Sequence, residues 1–155
     1  MTHSELVERG AKWLKYNKDF HYRSTIILKE FSCMSSEIPD VLGFSHYYST
    51  LIECKLSMAD FKADRNKRCR NKECQLGLYR LYLCPAGLIN KDNLPSGWGL
   101  LYCYPNKVTI EVEPTENDIG KARTEEHYVL YSIVRRACIR GLLPELVKPI
   151  KEVSK

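Results

Sequence analysis

Two acidic residues and a lysine are spaced in a way that could support metal-assisted chemistry. Asp40 opens a short apolar segment, and Glu53 and Lys55 lie two residues apart in a second, longer one. Because side chains alternate along a β-strand, Glu53 and Lys55 project from the same face of that strand. If the chain reverses over residues 44–49, the two strands pair and Asp40 approaches Glu53. The expected result is a site with two acids and one lysine.

These residue types suit the hydrolysis of a phosphodiester bond. Hard cations such as Mg²⁺ prefer carboxylate and carbonyl oxygens, and Asp40 and Glu53 offer carboxylates. The backbone carbonyl of Cys54 lies between Glu53 and Lys55 and could add a third oxygen. Lys55 could orient the attacking water or stabilise negative charge in the transition state. The alternative interpretation of the same residues is a salt bridge at a sheet edge.

The densest positive charge follows this candidate site directly. Residues 62–72 contain six lysines or arginines against one acid, Asp64, whereas the whole chain has a formal charge of only +5. A basic cluster next to paired acids favours contact with a phosphate backbone. The alternative is a solvated helix face with paired charges. The residues that we expect to contact nucleic acid are Lys62, Arg65, Lys67, Arg68 and Arg70.

The hydrophobic pattern predicts helices and strands in alternation, and hence an α/β fold. A first helix is expected after Ser4, a second after Ser57 from Met58 to about Lys67, and a third after Thr124 from Glu125 to about Arg140. Residues 114–121 read as a polar connection, and residues 142–155 as a short C-terminal helix or a frayed tail. The predicted strands cover residues 24–31, 40–44, 47–57, 78–84, 98–104 and 108–113, of which the third is the longest.

Length and composition predict a single domain over residues 1–155. A chain of this length with 44% hydrophobic residues can bury a core without disulfide bonds. The seven cysteines are odd in number, and no apolar signal segment stands at the N-terminus. We therefore expect a reducing, cytoplasmic location. No apolar run approaches bilayer length, so we expect no membrane association.

The acidic and basic residues also resemble a known family. Ile38-Pro39-Asp40, followed thirteen positions after Asp40 by Glu53-Cys54-Lys55, resembles the PD-(D/E)xK nuclease superfamily. The resemblance extends from about Ser4 to Tyr104 and includes small phage and bacterial members such as MmcB-like DNA-repair proteins. The wider pattern consists of Glu37 to Asp40, Glu53 to Ser57, Asp60-Phe61, Asp64-Arg65 and Trp98 to Leu101.

The resemblance implies a restriction-endonuclease-like core, a four-stranded mixed sheet flanked by helices. It implies an Mg²⁺-dependent endonuclease acting on DNA in phage DNA metabolism or DNA repair, with Mn²⁺ able to substitute and a homodimer as a candidate assembly. Asp40 and Glu53 would hold the metal and Lys55 would assist catalysis. The first helix offers Glu5 as a further ligand, with Glu8 second, and Glu37 is also placed to contribute.

Two other functions remain open at the level of sequence. One is a non-catalytic module of the same fold that binds nucleic acid or recruits proteins. The other is a protein-interaction role for the charged second helix and the acidic segment from Glu111 to Glu126. The protein-interaction role predicts no nucleic-acid affinity at low salt, where electrostatic binding is strongest. DNA or RNA, and single-stranded or double-stranded substrate, are not distinguished by these patterns.

Overall fold

A computed structural model describes residues 1–35, 37–64, 67 and 75–148 of the chain. The described parts contain four α-helices, six strands and a short 3₁₀ turn at Lys91–Asn93. In chain order the helices and strands are α1 (His3–Tyr16), β1 (Ile26–Lys29), β2 (Val41–Phe44), β3 (Ser49–Cys54), α2 (Met58–Asp64), β4 (Tyr79–Pro85), β5 (Gly99–Cys103), β6 (Val108–Val112), α3 (Ile119–Ile139) and α4 (Leu143–Leu146).

The six strands form one mixed sheet whose spatial order follows the chain, β1-β2-β3-β4-β5-β6. The pairs β1–β2, β2–β3 and β5–β6 are antiparallel, while β3–β4 and β4–β5 are parallel. The predicted α/β class with a mixed sheet flanked by helices is therefore confirmed. The sheet has six strands, two more than the four-stranded core that the family resemblance implies. The carboxyl ends of the parallel strands meet at one end of the sheet, where Cys54 is located.

Each face of the sheet buries its own apolar cluster. On one face α1 packs with Leu6, Val7, Ala11 and Leu14, and its Gly10 allows close approach, since a Cβ there would lie 3.2 Å from Leu83. The other face is covered by α2 and α3. Fully burying one large apolar side chain stabilises the fold by roughly 1.5–3 kcal/mol. The buried residues of the second cluster include Leu42, Leu51, Phe61, Tyr82, Trp98 and Val129.

Two helix starts differ from the predictions. Thr2, not Ser4, caps α1, because Thr2 and Glu5 form a reciprocal capping box with bonds of 2.7 and 3.2 Å. Asp118 caps α3 by accepting from the backbone of Lys121 at 3.0 Å, so the helix begins before the predicted Thr124. The last residues of the predicted polar connection are therefore helical. Ser57 is confirmed as the cap of α2, since its hydroxyl accepts from the Asp60 amide at 3.1 Å.

All six predicted strands are present; five have narrower bounds than the patterns indicated, and β4 is shifted by one residue from the predicted 78–84. The predicted β2–β3 hairpin is confirmed, with Val41 opposite Ile52 and Phe44 opposite Ser49. The prediction that the third strand is the longest is wrong, because β4 has seven residues and β3 has six. Within the C-terminal segment, Leu143–Leu146 form the short helix α4, while residues 149–155 lie outside the described part.

No helix within the described ranges is both long enough and apolar enough to cross a bilayer. The cysteines in these ranges are free thiols: Cys33, Cys54, Cys84, Cys103 and Cys138. Cys69 and Cys74 fall outside them.

Candidate active site

Lys55 lies in a buried cluster of charges on the α2 face of the sheet. Its ammonium is 3.1 Å from a carboxylate oxygen of Glu53 and 3.2 Å from one of Asp64. Tyr82 of β4 donates its hydroxyl hydrogen to the other Asp64 oxygen at 2.8 Å, and Lys67 approaches Asp64 at 2.9 Å. The Lys55, Glu53 and Asp64 side chains are each at most 4% exposed. The predicted neighbours Glu53 and Lys55 are thus in direct contact, and Asp64 joins them from α2.

The charges around Lys55 determine its protonation. Burial alone would lower the pKa of Lys55, because it disfavours the charged form. The carboxylates of Glu53 and Asp64 outweigh burial and raise the pKa above the ordinary lysine value. Lys55 is therefore a cation at neutral pH, suited to stabilising negative charge and not to accepting a proton.

Asp40 lies at the start of β2 and contacts the main chain of β3. One of its carboxylate oxygens accepts a hydrogen bond of 2.7 Å from the amide of Cys54, the residue between Glu53 and Lys55. The antiparallel register pairs Val41 with Ile52, so continuing it by one position sets Asp40 opposite Glu53. The strand pairing that the sequence predicted is present, and it fixes Asp40 beside the Glu53-Cys54-Lys55 segment.

A second group of ligand-type side chains surrounds Asp40 at this end of the sheet. Nε2 of His3 lies 3.4 Å from Asp40, and Nδ1 of His3 lies 4.0 Å from Glu30. One ligand atom from each of His3, Glu30 and Asp40 lies within 4.8 Å of the other two. Glu30 follows β1 and adopts a positive φ of 46°, a conformation that non-glycine residues rarely take. This set of one imidazole and two carboxylates has the chemistry of a divalent-cation site.

The other predicted metal ligands have different partners. Glu5 accepts from the Thr2 amide in the α1 capping box, and that bond lowers its pKa. Glu8, the second choice, pairs with Lys29 of β1. His3 is the α1 residue in contact with Asp40. The ligand roles of Glu5 and of the Cys54 carbonyl stay predictions.

Glu37 makes a buried ion pair with Arg80 of β4. Both of its carboxylate oxygens accept from Nη2 of Arg80, at 3.1 and 3.2 Å. The Arg80 guanidinium in turn lies over the ring of Trp98, 4.3 Å from its centroid. This arrangement ties the segment before β2 to β4 and β5, so Glu37 has a structural partner besides its predicted metal role.

Only part of the predicted nucleic-acid surface lies within the described residues. Lys62 is exposed on α2, and Lys67 pairs with Asp64 while 53% of its side chain stays accessible. Arg65, Arg68 and Arg70 lie outside the described residues. The prediction that this segment contacts phosphate therefore stays a prediction.

Two residues near the site were not predicted to belong to it. Asp64 lies three positions after Phe61, so both project from the same side of α2 toward the core. An acidic residue three positions after an aromatic core residue in a helix is the sequence signal that could have identified Asp64. His3 carries no such signal, because its contact with Asp40 depends on how the start of α1 packs against the end of the sheet.

Comparison with known proteins supports the fold alone. No protein-family model matches the chain, and no curated protein matches it. Among solved structures it is similar to the SPO1766 protein of unknown function from Silicibacter pomeroyi, with a TM-score of 0.60 and 21% sequence identity. The match covers 98% of this chain and 99% of that one. The whole architecture therefore recurs in a second protein.

Proposed function

We propose that this protein is a metal-dependent nuclease that hydrolyses phosphodiester bonds in DNA. One observation carries the proposal. Asp40 is hydrogen-bonded to the Cys54 amide, between Glu53 and Lys55, at the carboxyl end of β3. Asp40 thus lies beside the segment that carries Glu53 and Lys55, at one end of a mixed sheet.

The donor set fits a hard divalent cation. Asp40 and Glu53 offer carboxylate oxygens, the usual protein ligands of Mg²⁺ and Mn²⁺. His3 and Glu30 lie on the other side of Asp40 and offer further ligand atoms. A bound metal would lower the pKa of its water and neutralise charge on the phosphate. The imidazole of His3 favours Mn²⁺ over Mg²⁺ at this position, because nitrogen ligands suit transition metals better.

Lys55 would act as a fixed positive charge. Its raised pKa keeps it protonated, and Glu53 holds its ammonium at the end of β3. A cation placed there stabilises the charge that develops on a phosphate oxygen during attack. Its side chain is only 4% exposed, so contact with a substrate requires the residues around Lys55 to move.

Aromatic side chains near basic ones support a nucleic-acid partner. Phe20 and Tyr47 are 64% and 75% exposed, and Tyr48 lies between them with ring centroids 5.9 and 6.4 Å away. Lys18 and Arg23 are exposed in the same loop as Phe20. Nucleic-acid bases stack on such rings, while nearby cations attract the backbone.

The second candidate is a non-catalytic binding module of the same fold. The burial of Lys55 between two carboxylates favours it, because a fully paired lysine can serve stability alone. This candidate predicts nucleic-acid affinity without turnover. A protein-interaction role predicts neither nucleic-acid binding nor cleavage.

Cleavage and binding measured together separate these functions. Plasmid and single-stranded DNA are incubated with wild-type protein in Mg²⁺ or Mn²⁺, with a chelator control and the variant Lys55→Ala. The nuclease proposal predicts cleavage that the chelator and the substitution both abolish. Binding without cleavage would support the binding module, and the absence of both would overturn a nucleic-acid function.

A further inference from the structure

The carboxylate of Asp64, at the end of α2, accepts from three donors in the core of the protein. One of its oxygens, Oδ1, lies 3.2 Å from the ammonium of Lys55 and 2.9 Å from the ammonium of Lys67. The hydroxyl of Tyr82 donates to the other oxygen, Oδ2, at 2.8 Å. The Asp64 side chain is fully buried, whereas Lys67 is 53% exposed and reaches it from the surface. Two ammoniums and a hydroxyl thus converge on one anionic group.

Asp64 is an unfavourable residue for its position in α2. It is the last residue of the helix, where the unpaired carbonyls carry partial negative charge and favour a cation. Aspartate is also among the weaker helix-forming residues. The contacts to Lys55 and Lys67 therefore hold a charge that the helix itself opposes. A residue that breaks a local rule in this way is expected at a functional or strained site.

The charges of the cluster favour an anion at the position of the Asp64 carboxylate. Glu53 lies 3.1 Å from Lys55 and neutralises one of the two ammoniums. The Asp64 carboxylate neutralises the other, so the charges of these four side chains cancel. If Asp64 withdraws, Lys55 and Lys67 keep one positive charge in excess, beside the Tyr82 hydroxyl. Another anion is then attracted to the same donors.

We propose that Asp64 is an internal substitute for phosphate, and that it occupies an anion site made by Lys55, Lys67 and Tyr82 until a phosphate group displaces it. Carboxylate and phosphate accept from the same ammonium and hydroxyl donors through several oxygens. Displacement moves the end of α2 away from the sheet. α2 has only seven residues, so few backbone hydrogen bonds are lost when its last turn opens.

This inference deepens the proposed function and rests on it for one point, that the phosphate belongs to a DNA backbone. The exchange explains how Lys55, whose side chain is 4% exposed, meets a substrate: the phosphate takes the place of Asp64. The site itself requires only an anion. Inorganic phosphate therefore tests it without metal and without DNA.

Phosphate affinity, compared between wild-type protein and Asp64→Asn, tests the site. Thermal unfolding is followed at increasing inorganic phosphate, with a chelator present and the ionic strength held constant with sodium chloride. A ligand of the folded state raises Tm by an amount that gives its Kd. Asp64→Asn keeps an oxygen for Tyr82 and leaves Glu53 beside Lys55, so the fold is preserved. It is expected to bind phosphate roughly tenfold or more tightly than wild-type protein, because no internal carboxylate competes.

Matched variants separate this site from an effect of net charge. Asp60→Asn removes the same charge from an exposed position of α2 and is expected to bind phosphate as wild-type protein does. In the Asp64→Asn background, Lys67→Met removes a donor and is expected to cancel the gain in affinity. Lys62→Met removes an equal charge from an exposed position of α2 and is expected to keep the gain.

Hydrogen exchange on wild-type protein tests the displacement without any substitution. Phosphate is expected to speed amide exchange at the end of α2, because the helix loses the contacts that Asp64 makes. Chloride at the same ionic strength is expected to leave α2 unchanged. The amides of α1 are the internal reference and are expected to keep their rates in both salts.

Three results would overturn the proposal. These are equal phosphate affinity in wild-type protein and Asp64→Asn, an equal gain in Asp60→Asn, and unchanged α2 exchange in phosphate. Should Asp64→Asn fail to fold, the exchange measurement decides alone. DNA cleavage without these phosphate effects would leave the nuclease proposal in place and remove this inference. Phosphate effects without cleavage would establish the anion site and remove the nuclease proposal.

Discussion

The ammonium of Lys55 lies 3.2 Å from the carboxylate of Asp64, and both side chains are almost completely buried. Lys55 follows β3 and Asp64 ends α2, so this contact joins the helix to the sheet beside Glu53. Removing one partner of a buried ion pair leaves a charge without compensation, whereas removing both does not. The contact therefore matters for stability as well as for the proposed chemistry.

Replacing Lys55 alone is expected to destabilise the protein strongly. Lys55→Met leaves Glu53 and Asp64 buried without their shared cation, at a cost of about 3–5 kcal/mol in the free energy of unfolding. Lys55→Met combined with Glu53→Gln is expected to lose less than the single substitution, because Asp64 keeps Lys67 as a cation partner and Tyr82 as a hydrogen-bond donor. Urea denaturation measures both. An unchanged stability of Lys55→Met would contradict the closed ion-pair cluster.

The raised pKa of Lys55 predicts a loss of stability at alkaline pH. A lysine whose pKa is higher in the folded than in the unfolded protein stabilises the fold below its unfolded value, about 10.4. That contribution is lost as pH rises through the higher folded value. Wild-type protein should therefore lose more stability above about pH 10.4 than Lys55→Met does. Stability is measured by urea denaturation at each pH. If wild-type protein and Lys55→Met lose the same stability above that pH, titration of Lys55 does not contribute to the alkaline loss.

His3 is expected to contribute to metal affinity. Its ring lies between Asp40 and Glu30, so His3→Ala removes one ligand and should weaken Mn²⁺ binding by roughly tenfold or more. His46→Ala is the matched control, since His46 is exposed in the β2–β3 turn. Isothermal titration calorimetry measures both dissociation constants. If His3→Ala and His46→Ala bind Mn²⁺ with equal affinity, His3 is not a metal ligand.

Phe20 and Tyr47 flank Tyr48 just before β3, at the end of that strand opposite Cys54, and are expected to bind single-stranded DNA. Removing one stacked ring typically costs about 1–3 kcal/mol of binding free energy. Phe20→Ala and Tyr47→Ala should each weaken single-stranded DNA binding, measured by fluorescence anisotropy without metal. Tyr16→Ala is the control, because Tyr16 is also 71% exposed but makes no ring contact with Phe20 or Tyr47 in the described structure. If Phe20→Ala and Tyr47→Ala weaken DNA binding no more than Tyr16→Ala does, base stacking on these two rings is excluded.

Much of the fold was predictable because local pattern determines it. Runs of apolar and β-branched residues identified all six strands, and the hairpin that brings Asp40 opposite Glu53 followed from two apolar segments and a short turn. The helix starts were less predictable. Thr2 and Ser4 are both acceptable caps, and the choice depends on Glu5, whose side chain returns to the Thr2 amide.

The site was predictable where its residues share one strand or the two strands of one hairpin. Glu53 and Lys55 share a face because strands alternate, so their contact follows from the sequence. Asp64 and His3 reach the site through the packing of α2 and α1, which depends on contacts far apart in the chain. The exposed face of α3 was also not predicted, because the packing of the whole sheet and its helices decides which helix face stays uncovered.

The most direct test of the nuclease proposal is DNA cleavage by Asp40→Asn compared with wild-type protein in Mn²⁺. An asparagine oxygen can still accept from the Cys54 amide, so the fold is preserved while the carboxylate charge is lost. Glu111→Gln, an exposed acid on β6, is the matched control. The account predicts cleavage by wild-type protein and Glu111→Gln and none above background by Asp40→Asn. Cleavage by Asp40→Asn at the wild-type rate, or no cleavage by any of the three, would contradict it.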